Sequence, residues 1–517
     1  MKTWPFNWNM IRLAPGVFTV HSLFQLLLYA APIALGLIAR AVFDTISGAA
    51  PAGLNVWSLV GLYVAVGLGQ LGLSFVDVWG NTTFRYQVSG VVRRNMFAAL
   101  LRRPGALPLP VPPGEALSRY RNDVAEVADF PLWLPDVAGN LLVFGLAVTI
   151  MAGINPAITL VIFVPLLFLV VVGRLGWARL LQAYEDSARA TDRVSGLLGE
   201  ILGAVQAVKI AGAETRIVAH LDALNAERGR LKVRERMLHE LIYSLADYSS
   251  AIGAGIVLLL SGRALSGGTF SVGDFVLFLT YLQHTTHLPA YLGTFLGDYR
   301  QQQAAIRRLL ELVPDEPAGA LFHAGGRREV GRVAHSANVR FLTAAPLLVV
   351  RNLTYVHPGS GQGVRDISLV LPRGSLTVVT GKVGSGKTTL LRAILGLLPR
   401  QAGELVWEGR LVIDAAAHFR PPHSAYTPQV AHLFSAGLGE NILLGHPADA
   451  AALRAAVFAA VLEPDLATMP ADLATLVGPR GMRLSGGQVQ RAAAARMLVR
   501  SPELLVCDDL SSALDVE

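Results

Sequence analysis

Residues Ser375–Thr380 read SLTVVT and run directly into Gly381-Lys382-Val383-Gly384-Ser385-Gly386-Lys387-Thr388-Thr389, followed by the apolar run Leu390–Leu398. The order predicted is a buried strand, a glycine-rich turn and a helix. This fits G-x-x-x-x-G-K-[ST] in the context its chemistry needs. The glycines let backbone N–H groups curl round phosphate oxygens, and the helix N-terminus adds a favourable partial positive charge. On this reading Lys387 contacts the β- and γ-phosphates of a nucleoside triphosphate, and the Thr388 hydroxyl holds Mg²⁺.

Working outward, Pro502–Leu510 (PELLVCDDL) is predicted as a second apolar strand that ends in two acids. An acid at the end of a strand beside the phosphate loop is where Mg²⁺ needs another anchor, and Asp508 fits. Asp509 is placed to polarise the attacking water. Cys507, the single cysteine of the chain, lies within this strand and reads as a small buried residue. Between the two strands stand Leu484-Ser485-Gly486-Gly487-Gln488 and the predicted helix Val489–Val499. A glycine pair before a helix again offers backbone donors to an anion. Two such helix starts in one chain suggest two surfaces closing on one nucleotide.

The rest of the chain has another character. Of 517 residues, 52% are hydrophobic and 16% charged, with mean hydropathy +0.47. A soluble globular chain carries about 25% charged residues. The deficit excludes a disordered chain, argues against an ordinary cytosolic enzyme and points to bilayer-facing surface. A net charge of +7, from 44 basic and 37 acidic residues, is modest for a nucleic-acid binder, and none is expected as a partner. One cysteine excludes an intrachain disulfide framework and a multi-cysteine metal site.

A membrane span needs about 20 mostly apolar residues. Six ranges qualify: Val17–Ala39, Trp57–Trp79, Val137–Ile154, Ala157–Gly173, Ser244–Gly262 and Phe270–Leu296, the last interrupted by polar residues and Pro289. Arginines crowd the stretches after the second, fourth and sixth, and Lys2 and Arg12 precede the first. The other connections carry almost none: Arg40, Arg263 and nothing near Asn155. The positive-inside rule then gives six spans with both ends in the cytoplasm. The first span is too long and lacks a convincing cleavage site for a signal peptide. Gly114–Asp129 and Leu181–Leu238 have helical periodicity and extend the spans beyond the membrane. The expected organisation is a transmembrane domain over 1–312, a linker over 313–345 and a nucleotide-binding domain over 346–517.

These residues resemble an ATP-binding cassette (ABC) transporter of the exporter type, with membrane and nucleotide-binding domains fused in one half-transporter. The fold implied is an all-α membrane domain of six helices followed by an α/β P-loop NTPase domain. Gly381–Thr389 resembles the Walker A loop, Leu504–Asp509 the Walker B strand and Leu484–Gln488 the LSGGQ signature. Gln429, in Tyr426-Thr-Pro-Gln429, is similar to the Q-loop glutamine, which contacts Mg²⁺ and the attacking water. Ser512–Asp515 resembles the D-loop, and Tyr355 resembles the aromatic that stacks on adenine, although a tyrosine there equally suits strand packing. Gly114–Val124 and Glu200–Glu214 resemble the loops that hold coupling helices.

The resemblance implies ATP and Mg²⁺ as ligands and a second half-transporter, identical or homologous, as partner. ATP on one chain's Walker A loop would meet the signature of the other. A multi-pass protein of a bacterial inner membrane is implied, in contact with lipid and with a transported substrate. Two departures stand out. Asp509 occupies the place of the family's glutamate, one methylene shorter, and the sequence stops at Glu517 before the family's switch histidine would occur; His432 is no substitute by position. The expectation is therefore a C-terminal fragment, with an ATP-driven exporter subunit as the leading function. A hydrolysis-poor regulatory half, a non-functional fragment and an importer are the alternatives.

Intramembrane polar residues are candidates for substrate contact: Asp77, Asp247, Gln283, His284 and His287. His284 and His287 share a helical face, a spacing metal ligands use, although polar residues lining a wet cavity suit the pattern better. Arg40 and Arg263 are expected to snorkel to the interface.

Overall fold

The computed structural model describes residues 3–49, 53–266, 269–286, 288–323, 346–478 and 484–509. The chain divides into two compact units: residues 1–97 with 111–325, and residues 98–110 with 326–517.

The first unit is helical. Helices α1 (Thr3–Leu13), α2 (Pro15–Ser47) and α3 (Val56–Arg102) are followed by α4 (Pro113–Ser118), a π-helical turn (Arg119–Asp123) and α5 (Val124–Asp129). Then come α6 (Trp133–Ile154), α7 (Pro156–Gly203), α8 (Val205–Ile210), α9 (Glu214–Ser266), α10 (Val272–Thr286) and α11 (Leu288–Leu312). The first five apolar ranges fall on helix; of the sixth, 272–286 lie in α10 and 288–296 in α11. Asn155 starts α7 by accepting a hydrogen bond from the Ile158 N–H at 3.0 Å, with Pro156 at the first helical position. That pairing explains how two spans follow one another with so short a turn.

Among the described residues, α2, α3 and the stretch ending with α6 are long and apolar enough to cross a membrane. They leave Leu68, Leu71 and Phe75 of α3 exposed, as a lipid-facing helix requires. The core of this unit lies where α2, α6, α9 and α10 meet, around Ile33, Val143, Val257, Leu277 and Tyr281. The Tyr281 hydroxyl donates to the Ile33 carbonyl at 2.7 Å, satisfying a buried polar group.

Polar ties at the two ends of this bundle were not legible in the sequence. Arg40 does not simply snorkel: its Nε lies 2.8 Å from Asp274 and 3.6 Å from Asp44, and Asp44 accepts from the Gly273 N–H at 3.0 Å. This locks α2 to α10. A Cβ at Gly273 would stand 2.4 Å from both the Arg40 carbonyl and Asp44, so only glycine permits the approach. Toward the other end, Arg308 of α11 holds Asp123 with two hydrogen bonds of 2.6 and 2.8 Å, and Arg119 reaches Glu115 and Glu311.

The second unit is α/β. Strands β1 (Leu348–Val356), β2 (Gly363–Leu371), β3 (Ala402–Trp407) and β4 (Arg410–Leu411) form an antiparallel sheet in the order β2-β1-β3-β4. Helix α12 (Lys387–Ile394) packs on this sheet, its Leu390, Ala393 and Ile394 joining Val350, Leu353 and Leu405 in one core. After α13 (Ala415–His418), strand β5 (Ser424–Thr427) pairs in parallel with β6 (Leu504–Cys507). A separate core joins α14 (Leu438–Leu443), α15 (Ala450–Ala459), α16 (Glu463–Thr468) and α17 (Gly486–Leu498) around Ile442, Val457, Leu466 and Ala495.

Residues 98–110 belong to this second unit. The Ala106 N–H donates to the Leu397 carbonyl at 2.9 Å, and Ala106 and Leu107 pack on the core of the antiparallel sheet.

One strand prediction fails. Residues 375–380 form no ladder, and Leu376 and Val378 are 91% and 75% exposed. An apolar run becomes a strand only when neighbours take up its backbone groups and cover its faces. Among the described residues, β6 is hydrogen-bonded to β5 alone.

Candidate nucleotide site

The phosphate loop is built as its residue types require. Gly381, Gly384 and Gly386 have φ of 156°, 83° and 94°, and the last two lie in the left-handed region that glycine adopts without cost. Helix α12 starts at Lys387, three residues earlier than the apolar run suggested, and no side chain caps it. The first N–H groups of a helix have no partner within it, so here they remain donors for an anion. The loop, Gly381–Ser385 with Lys382 and Val383, is exposed. The Lys387 ammonium donates to the Gly381 and Lys382 carbonyls at 2.9 and 3.1 Å. It is thus held across the loop, with one of its three donors left. Thr389 lies beside His357, its Oγ1 3.5 Å from Nε2.

The second set of residues arrives from β5 and β6. Their parallel register pairs Thr427 with Cys507, and the Asp508 N–H continues the ladder to the Thr427 carbonyl at 3.0 Å. Two residues further along each strand direction, Gln429 meets Asp509: Gln429 Nε2 donates to Asp509 Oδ2 at 3.1 Å. Residues 80 apart in sequence are therefore brought together by register alone. Asp509 has φ of 55°, in the left-handed region.

Asp508 is buried and accepts from the Thr388 hydroxyl at 2.9 Å and from the Tyr426 hydroxyl at 3.1 Å. Burial pushes the Tyr426 hydroxyl above its ordinary value, so it remains a donor. No cation pairs with Asp508 among the described residues. A buried carboxylate with two neutral donors is costly in isolation, and this donor set of acid and hydroxyl suits a hard divalent cation. Gln429 gives its amide N–H to Asp509. Of the three residues expected to serve the metal, Thr388 and Asp508 are hydrogen-bonded to each other, and Gln429 is bonded to the adjacent Asp509.

Two expectations require correction or completion. Tyr355 is 2% exposed within the sheet core and meets His357 edge-on at 4.9 Å. Strand packing, not a free face for adenine, is what this ring shows. His357 is the less buried ring, and it is the one that reaches α12. Cys507, expected inside a buried strand, is exposed; among the described residues β6 is paired on one side only. Tyr426, three residues before Gln429, holds Asp508. No sequence signal marks that contact, which depends on the turn of β5.

The signature helix starts differently. Ser485 Oγ accepts from the Gln488 N–H at 3.3 Å, and Gln488 Oε1 accepts from the Ser485 N–H at 3.0 Å, a reciprocal capping box. Gln488 also reaches Asp465 at 3.3 Å, and Arg491 holds the same acid at 2.7 and 2.9 Å. Gly486 and Gly487 form the first helical positions. These bonds run to α16, not to the phosphate loop. Ser512–Asp515 lies outside the described residues.

The comparisons agree with this architecture. Residues 18–287 match the model of the ABC transporter transmembrane region, and residues 364–512 match the model of the ABC transporter. The chain belongs to the ABC transporter family. It is an integral membrane protein with a helical transmembrane region followed by an ABC nucleotide-binding domain. It is 28% identical over 93% of its length to a multidrug efflux ATP-binding/permease protein of Mycobacterium bovis, of which it covers 39%. Against an ATP-dependent lipid A-core flippase of Xanthomonas oryzae pv. oryzae it is 29% identical over 62% of its length and 52% of the relative's. The chain thus spans two-fifths to about half of these relatives. Its fold is that of a bacterial Atm1-family ABC exporter solved with ATP bound, at TM-score 0.70 and 21% identity, covering 96% of this chain and 86% of that one.

Proposed function

We propose that this chain is one half of an ATP-hydrolysing exporter, working as a dimer, with the nucleotide-binding half in the cytoplasm of a bacterium. The observation that carries the reading is the pairing of Thr388 with Asp508 and of Gln429 with Asp509 at the end of β6, with Thr388 in the first turn of the uncapped helix that follows the phosphate loop.

The loop amides and Lys387 bind the β- and γ-phosphates. Thr388, Asp508 and the Gln429 carbonyl would hold Mg²⁺, which neutralises charge on the β- and γ-oxygens when bound. Asp509 accepts the proton of the attacking water, and Gln429, bonded to it, fixes the direction in which its second oxygen points. Ser485, Gly486, Gly487 and Gln488 offer the opposite surface to ATP held by a second chain. Closure on ATP and loosening after hydrolysis would shift the membrane helices between two states.

The short reach of Asp509 supports a second reading, in which this half binds ATP and its partner hydrolyses it. Asp509→Asn discriminates between them. Loss of a general base costs about 10²–10⁴ in rate. Turnover of the assembled transporter should fall by that amount while ATP affinity holds. Unchanged turnover would make this the non-hydrolysing half.

A further inference from the structure

Helix α12 and the strand pair β5–β6 meet through side chains that share one face on each side. Along β6, Leu504, Val506 and Asp508 alternate to the same face, and the register sets Tyr426 opposite Val506. Tyr426, Leu504 and Val506 all pack against the core that holds Leu390 and Ile394 of α12. The Tyr426 hydroxyl therefore reaches Asp508, two residues further along β6. On α12, Thr388 and Arg392 stand four apart, on one face of the helix. Thr388 meets Asp508, and Arg392 meets Tyr426.

The hydrogen bonds in this group have fixed directions. A guanidinium only donates. Arg392 Nε, 3.5 Å away, thus uses the Tyr426 hydroxyl oxygen as acceptor and leaves its hydrogen for Asp508. A carboxylate without its proton only accepts. Tyr426 occupies Asp508 Oδ2 at 3.1 Å, and the Thr388 hydroxyl lies on Oδ1 at 2.9 Å. Asp508 is 6% exposed, so turning its side chain away would strand the Tyr426 hydroxyl beside it without an acceptor. The carboxylate is held by one oxygen, and the other faces the first turn of α12.

We propose that Tyr426 is a positioning residue that selects Mg²⁺ over Ca²⁺ at the nucleotide. With Oδ2 engaged, Asp508 presents a single oxygen beside the Thr388 hydroxyl. Mg²⁺ is small, demands near-octahedral geometry and takes few carboxylate oxygens, whereas Ca²⁺ takes about six to eight oxygens and accepts a carboxylate by both of its own. Holding one oxygen back favours the smaller ion. This selectivity rests on the proposed binding of ATP with a divalent cation at the phosphate loop, but it needs neither hydrolysis nor a second chain.

The test is equilibrium ATP binding to the full chain in nanodiscs, with saturating Mg²⁺ in one series, saturating Ca²⁺ in the other and empty nanodiscs as blank. The unmodified chain should bind ATP more tightly with Mg²⁺ than with Ca²⁺. Tyr426→Phe keeps the ring and its packing and removes only the hydroxyl. It should lower the ratio of the Mg²⁺ to the Ca²⁺ affinity by about threefold or more, the scale of one lost hydrogen bond. A role in the fold alone would weaken both series alike and leave the ratio where it was. A ratio lowered by less than threefold, or raised, overturns the assignment. Equal affinity with the two ions in the unmodified chain overturns it without recourse to any variant. The expected ratios in a chain that does not hydrolyse ATP uphold the role of Tyr426 and count against the hydrolysing reading alone. No ATP binding in either series overturns both.

Discussion

Two helix starts in the second unit share a glycine-rich approach but differ in what occupies their first turn. At α12 the residue before the helix is Gly386, left-handed and without a side chain, so nothing competes for the backbone donors. At α17 the same position is Ser485, and Ser485 and Gln488 satisfy each other. The first start has no cap and is held by its packing on the sheet. The second is stable by itself and rigidly held to α16 through Arg491 and Asp465. One helix start is thus left without a cap, whereas the other is capped and tied to its neighbour; on the proposed reading the first receives the phosphates and the second faces nucleotide held by a partner chain. The glycines mean different things in the two places: freedom of φ at Gly386, and close backbone approach at Gly486 and Gly487.

This contrast can be broken by substitution. Lys387→Ala should have the largest effect. Removing one partner of a hydrogen-bonded charge pair costs about 2–5 kcal/mol, so equilibrium ATP binding should weaken by about 30-fold to several thousandfold, with the thermal unfolding of the ATP-free chain little changed. Comparable affinity in the variant would show that the open start does not bind the phosphates.

Gly386→Ala comes next. The position has φ of 94°, and a Cβ would come within 2.9 Å of Val364 Cγ1. A strained backbone conformation of this kind costs about 1–3 kcal/mol. The second unit should lose that much stability in chemical denaturation, and ATP should bind more weakly. A variant of native stability would mean that the loop can relax.

Ser485→Ala sharpens the comparison from the other side. Loss of an N-cap costs about 1 kcal/mol, and replacement by glycine only a few tenths. Stability should fall in that order, alanine below glycine. ATP affinity of an isolated chain should not move, since the signature is expected to serve ATP bound elsewhere. Weakened binding in an isolated chain would place Ser485 in the same site as Lys387.

The two halves of the nucleotide site were not equally visible before the structure. The phosphate loop is contiguous, so spacing alone identified Gly381–Thr389, and the signature was read the same way. The convergence of Gln429 with Asp509 and of Tyr426 with Asp508 depends on the register of β5 and β6, which no local pattern encodes. Tyr355 carried two readings, because an aromatic on a strand suits either stacking or packing, and its burial in the sheet core is a matter of tertiary packing. Residues 375–380 misled because apolar composition states what a segment could bury, not whether neighbours are present to cover it.

In the membrane unit, helix positions were legible from apolar length, and Asp77 was noticed as an acid within a span. Its partner His21, and Gln25, lay in the first span and carried the same signal. Asp136, which Gln25 meets, fell one residue before the expected start of its span. His284 lines a cavity of this unit, whereas His287 and the side chain of Asp247 lie outside the described residues. Among those described, no group of three or more candidate metal ligands is found.

The sequence by itself determined the division into apolar helices and an α/β nucleotide-binding half, because hydrophobic length and a contiguous glycine-rich loop are local properties. It also determined the family, through motifs whose chemistry depends on spacing along one chain. Only the tertiary structure decided which polar side chains face one another: Gln429 with Asp509, Arg40 with Asp274, Gln25 with Asp136. Those pairings follow from strand register and helix rotation, which are set by packing between segments far apart in the chain.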